Sequence, residues 1–252
     1  MLKRYLQKII TEDLNEKMVF VGGPRQVGKT TMSKLVGEEN YKGFAYLNWD
    51  SVPDRRAILE NSFPASAKLL IFDELHKYRG WKNRLKGLYD KEKDKFDFLV
   101  TGSARLDVYR RGGDSLFGRY HYFRLHPFSL AEALGKDAKI AVGEALVFLD
   151  GKKVGGVFKD LFHFGGFPEP FVKKQEVAWR RFQNERTERL IKEDIRDLEK
   201  IGDLSGLQVL AEILPQKVGS LLSLNSLSED LQVNYRTAAH WVEVLERFYY
   251  HF

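Results

Sequence analysis

The feature that most restricts what this chain can fold into is the run Gly23-Pro24-Arg25-Gln26-Val27-Gly28-Lys29-Thr30, which fits the pattern G-x-x-x-x-G-K-[ST]. Before it stands Met18-Val19-Phe20-Val21, an apolar run whose length and flanks predict a buried strand, and after it Thr30–Val36 reads as a helix. Four residues between the two glycines let the loop curl so that successive backbone N–H groups point inward at a phosphate chain. Gly28 allows the backbone to approach a phosphate where a Cβ would intrude. Lys29 brings positive charge to β- and γ-phosphates, Thr30 brings a hydroxyl to Mg²⁺, and the helix beginning near Lys29 adds its positive dipole end. The pattern alone arises by chance in about one chain in a hundred of this length. Its place between a strand and a helix is what a functional loop demands. ATP and Mg²⁺ are therefore the expected ligands, with Gly23, Pro24, Arg25, Gln26, Val27, Gly28, Lys29, Thr30 and Thr31 as the cradle.

Further short apolar runs at Phe44–Leu47, Leu69–Phe72, Phe96–Val100 and Tyr120–Leu125 alternate with helix-like segments at Arg55–Asn61 and Trp81–Lys91. That alternation predicts an α/β fold with a parallel sheet sandwiched by helices, and this first unit should span 1–135. Apolar residues make up 43% of the 252, enough for a sizeable core. No apolar stretch approaches the ~20 residues a membrane helix needs, so no membrane partner and a cytoplasmic location are expected. The absence of cysteine excludes disulfides and thiolate metal sites.

Leu69-Leu70-Ile71-Phe72-Asp73-Glu74 sets two carboxylates at the C-terminal end of a buried strand, the edge where open α/β sheets bind ligands. Asp73 is placed to hold Mg²⁺, and Glu74 to polarise an attacking water as general base. A strand may also end in acids simply because it has reached solvent, but the preceding phosphate loop favours the catalytic reading. Phe98-Leu99-Val100-Thr101-Gly102-Ser103 is a second such strand; if it lies beside the first, Thr101 or Ser103 can meet the γ-phosphate or orient the water.

Gly23–Thr31 (GPRQVGKTT), Asp73–Lys77 (DELHK), Thr101–Arg105 (TGSAR), Gly118-Arg119, Leu125–Glu132 (LHPFSLAE) and Gly165–Glu169 (GGFPE) together resemble the AAA+ class of P-loop ATPases. More closely they resemble a prokaryotic family with an N-terminal AAA domain and a C-terminal domain of unknown function that begins with a winged-helix-like module. The resemblance implies Thr101 or Ser103 as polar sensor and Arg119 as an arginine finger reaching a neighbouring subunit. It also implies Pro168, in a Gly-x-Pro element, as an adenine contact. His76 stands where such proteins often carry glutamine.

The remainder divides into a helical lid or linker, 136–204, and a module, 205–252. Within the first, Glu176–Lys200 reads as a long charged helix with i,i+4 pairs such as Glu185/Arg189. Within the second, Ser226-Leu227-Ser228-Glu229 carries a capping-box signature and Asn234 is a good N-cap. Ala238, Val242, Leu245 and Phe248 then form an apolar stripe, giving a helix-turn-helix arrangement. Its opposite face offers Arg236, Thr237 and His240, so double-stranded DNA is a possible partner of the helices in 226–248; packing or protein docking is the alternative. Tyr249, Tyr250 and Phe252 suggest an aromatic sheet edge left unfinished by a shortened chain. The leading functional expectation is an ATP-hydrolysing, oligomeric AAA+ protein that couples nucleotide state to its C-terminal helices. A slow nucleotide-gated DNA-binding or signalling switch is the alternative. A small-molecule kinase is disfavoured by the water-activating Glu74.

Overall fold

A computed structural model describes residues 2–102, 116–136, 151–196, 199 and 201–251. The chain divides into two compact units, Met1–Gln175 and Glu176–Phe252.

The first unit is organised by five parallel strands: β1 (Met18–Gly22), β2 (Phe44–Asn48), β3 (Leu69–Asp73), β4 (Asp97–Thr101) and β5 (Tyr120–Arg124). Their order across the sheet is β2-β3-β4-β1-β5. Each apolar run named above as a strand forms one, with ends moved by a residue at most. Strands β1 and β3 are buried along their whole length, as a sheet covered on both faces requires. Alternation of side chains sorts them between two cores. Val19, Val21, Leu69, Ile71 and Leu99 pack with α1 (Leu6–Leu14) and α2 (Lys29–Asn40). Met18, Phe20, Leu70, Phe72, Phe98 and Val100 pack with α3 (Val52–Glu60) and α4 (Trp81–Glu92). Helix α1 buries Leu6, Ile10 and Leu14 at successive i,i+4 steps.

Helices α5 (Leu130–Ala133), α6 (Gly151–Phe164) and α7 (Pro168–Lys173) complete this unit. The capping box of α5 is formed by Ser129 and Glu132. No helix among the described residues is long and apolar enough to cross a membrane.

The second unit is helical among its described residues. Helix α8 (Glu176–Arg189) runs into a π-helical turn, Leu190–Ile195, which buries Leu190, Ile191 and Ile195. Next come α9 (Leu204–Ile213), capped by Asp203, then α10 (Leu224–Asp230) and α11 (Tyr235–Arg247). Asn234 caps α11 as expected, accepting from the Thr237 N–H at 2.9 Å. Helix α10 starts earlier than its capping-box signature indicates: Ser223 accepts from the Ser226 N–H, and Leu227 is thereby carried into the interior. On α11 the inward stripe is Ala238, Trp241, Val244, Leu245 and Phe248, with Val242 only half-buried. At about 100° per residue these five lie within an arc of about 120° centred on Trp241, and Val242 falls outside it. Tyr249 and Tyr250 are not an open sheet edge. Tyr249 is buried, its carbonyl accepts from Arg186, and the Tyr250 hydroxyl donates to the Ala211 carbonyl at 2.6 Å; Phe252 lies outside the described residues.

Phe72 stacks near Phe98 and meets Phe63 edge-on at the centre of the α3/α4 core. Phe72→Ala is expected to cost about 3–5 kcal/mol, read as a fall in the urea midpoint of unfolding.

Candidate functional site

The site is assembled by strand order. Thr101 pairs with Val21 of β1 on one side and with Asp73 of β3 on the other, so the ends of three strands meet beside the glycine-rich loop. Gly23 has φ 140°, and a Cβ there would lie 2.3 Å from the Leu125 carbonyl oxygen. Gly28, with φ 95°, is the N-cap of α2 in the left-handed region. Both glycines are therefore required by the backbone path itself. Lys29 is buried and its Nζ donates to the carbonyls of Gly23 (2.9 Å) and Pro24 (2.7 Å), so the ammonium lies across the loop it belongs to. Thr31 is exposed on the first turn of α2, and Gln26 is exposed at the loop's tip.

Asp73 is the hub. Its Oδ2 accepts from the Thr30 hydroxyl at 2.8 Å and from the Tyr46 hydroxyl at 2.7 Å, while Oδ1 accepts from Thr101 at 2.7 Å. Three hydroxyls on three different segments orient one carboxylate that is 5% exposed. Tyr46, on β2, was not singled out from the sequence. Its hydroxyl, held by Asp73 and removed from solvent, ionises only well above the usual tyrosine range, burial being the larger cause. The donor set of Thr30 and Asp73, hydroxyl and carboxylate oxygens side by side, suits Mg²⁺, a hard ion that prefers oxygen ligands and keeps several waters.

Glu74 departs from β3 with φ 57°, a left-handed conformation that costs a non-glycine residue about 1–3 kcal/mol. Its N–H donates to the Thr101 carbonyl at 3.1 Å. Its carboxylate lies 3.5 Å from both His76 Nε2 and Lys77 Nζ. Burial pushes its pKa above the usual value of 4.5; Lys77 opposes the shift, Asp73 reinforces it, and Lys29 and Arg25 oppose it.

Other expected residues are distributed unevenly. Pro168, the first residue of α7, stands against the loop, with Cγ 3.7 Å from where a Gly28 Cβ would be. Arg119 does not join the site: it precedes β5, at the sheet edge opposite the loop, and its Nε and Nη2 donate to Asp90 of α4 at 2.7 and 3.1 Å. Ser103 and Arg105 lie outside the described residues.

Because Glu74 is harder to ionise in the fold than in an unfolded chain, its ionisation works against folding. Its neutral form contributes fully below pH 4.5, and that contribution is lost as pH rises through the raised value. Glu74→Gln is therefore expected to be at least as heat-stable as the parent at pH 7.5, with the difference closing toward pH 4. A less stable variant at pH 7.5 would contradict this account.

Residues 15–134 match the family model described as an AAA domain, and residues 156–252 match that of the domain of unknown function DUF8612. Curated protein sequences give no match. Among solved structures, the Holliday junction branch migration motor RuvB of Thermotoga maritima is similar at 15% identity and a TM-score of 0.43, covering 96% of this chain and 85% of that one. The Orc1 protein of Aeropyrum pernix, solved in complex with DNA, is similar at 12% identity and a TM-score of 0.41, covering 96% and 82%. A five-stranded parallel sheet with the loop after β1, together with the two matching models, identifies residues 15–134 as an AAA domain of the P-loop ATPase fold and residues 156–252 as a DUF8612 domain.

Proposed function

We propose that this chain binds ATP with Mg²⁺ at Gly23–Thr31 and hydrolyses it, coupling nucleotide state to its C-terminal helices. One observation carries the reading: Thr30 of the loop, Asp73 and Thr101 are joined by hydrogen bonds, with Glu74 next along the chain. In that reading the loop amides and Lys29 hold the phosphates, the ammonium exchanging its loop carbonyls for phosphate oxygens. Thr30 and Asp73 would hold Mg²⁺, whose charge offsets that on the phosphate oxygens. Glu74 takes a proton from water as the water oxygen bonds to the γ-phosphorus; the bond from that phosphorus to the bridging oxygen breaks, and ADP and phosphate leave. Its half-buried setting raises its basicity, which suits it to this task. Thr101, tied to Asp73 and one strand from the loop, serves as the polar sensor, and Pro168 as a contact for the adenine.

The outward face of α11 sets Arg236 and His240 beside exposed Glu243 and Glu246. That mixture offers DNA phosphates little net charge, so DNA binding through 226–248 has weaker support than ATP hydrolysis. The long segment 136–204 is read as lid or linker and 205–252 as the responding module.

By calorimetry Lys29→Ala is expected to lose Mg-ATP binding, while Glu74→Gln binds within a few-fold of the parent and loses about 10²–10⁴ in turnover. Phosphate release unchanged by Glu74→Gln removes that residue from the mechanism. Strand β5 separates Arg119 from the loop end of the sheet by roughly 16 Å, which supports a role in another copy's site. Mixing Arg119→Ala with Lys29→Ala chains is then expected to recover part of the activity that each lacks alone. No recovery from an assembly of normal size rules out a shared site.

A further inference from the structure

Arg4 belongs to no motif, yet it is 6% exposed and ties together segments far apart in sequence. Its Nε donates to Glu132 Oε1 at 2.8 Å, Nη1 to the Val27 carbonyl at 2.7 Å, and Nη2 to the His126 carbonyl. The guanidinium carbon also sits 4.6 Å from the centre of the Phe128 ring. Glu132 is itself 4% exposed and fully engaged. Oε1 also takes the Tyr5 N–H at 3.1 Å, and Oε2 takes the N–H (2.9 Å) and hydroxyl (3.1 Å) of Ser129. A buried pair of this kind contributes little net stability over an apolar pair of the same size, so its presence points to a need for geometry.

The geometry lies at Val27. That carbonyl shares its peptide with the Gly28 N–H, and in a trans peptide the two groups point in opposite directions. A guanidinium gripping the Val27 oxygen from the side of residue 4 turns the Gly28 N–H the other way. A five-donor planar fork is suited to this, because it can hold Glu132, Val27 and His126 together, which a lysine ammonium cannot reproduce in the same plane. Gly28, at φ 95°, has a glycine's backbone freedom and no side chain to hold its orientation. Arg4 Nη1 stands 3.7 Å from where its Cβ would be.

We infer that Arg4 is a positioning residue for nucleotide binding: through the Val27 carbonyl it presets the Gly28 amide toward the phosphates, and Glu132 supplies the counter-charge that keeps the guanidinium out of the cradle. This rests on the reading of Gly23–Thr31 as a phosphate site. The N-terminal segment thereby becomes part of the cradle without touching the ligand.

The test uses the full chain, with Mg-ATP affinity from calorimetry and unfolding from circular dichroism. The variants are Arg4→Lys, the double change Arg4→Met with Glu132→Met, and Lys29→Ala. The double variant removes both charges, so no buried carboxylate is left alone; it is expected to unfold cooperatively like the parent yet bind Mg-ATP about tenfold more weakly. Arg4→Lys keeps the pairing with Glu132 and should fall between the two. Parental affinity in a folded double variant overturns the assignment, because a purely structural pair is made good by the two methionines. Should that variant fail to fold, Arg4→Lys decides: unchanged affinity overturns the inference and a loss of threefold or more supports it. If the parent binds Mg-ATP and Lys29→Ala does not, the site itself stands, and a failure at Arg4 is its own. If the parent binds none, both readings fall.

Discussion

The arrangement of the first unit depends on one buried carboxylate. Asp73 is removed from water, and burying a charge is tolerable only when its lone pairs are filled. Thr30, Tyr46 and Thr101 fill them, and they come from the loop after β1, from β2 and from β4. That set of partners is available only with the strand order β2-β3-β4-β1. The polar cluster and the sheet topology are thus mutually dependent. The order brings the hydroxyls to the carboxylate, and misplacing any of the strands would leave a buried charge short of donors.

Much of this was legible because it is written locally. A glycine-rich loop between an apolar run and a helix, and two carboxylates closing another apolar run, are patterns contained in a few consecutive residues. The five strands were visible for the same reason. What was not legible is long-range. Tyr46 becomes part of the site only once β2 is known to pair with β3, and nothing in Phe44-Ala45-Tyr46-Leu47 announces it. Arg4 looks like a solvated residue of a polar N-terminal segment until Glu132, some 128 positions later, is found against it. Errors in the second unit have a different origin. Two serines three positions apart can each cap a helix, and the choice of Ser223 over Ser226 was decided by the burial of Leu227. Likewise the inward face of α11 is set by Trp241 and Val244, which a stripe drawn through Val242 passes by.

Glu74 and Lys29 show how the same buried setting serves opposite ends. Lys29 gains two carbonyl acceptors from its own loop, which compensates an ammonium held away from water. Glu74 has the Lys77 ammonium at 3.5 Å but remains harder to ionise than in water, so removal from solvent outweighs it. In the proposed mechanism the raised basicity of Glu74 favours taking a proton from water.

The Arg119–Asp90 pair has a consequence for the shared site proposed above. A side chain already held by two hydrogen bonds is not an idle cation waiting for a neighbour. To reach another copy it must let go of Asp90, and that exchange strips a negative group of its partner on the surface being covered. In the proposed shared site, that exchange opposes the first contact between copies. An incoming surface that offered Asp90 a replacement cation would offset the loss, so the proposed arrangement calls for a basic group opposite Asp90.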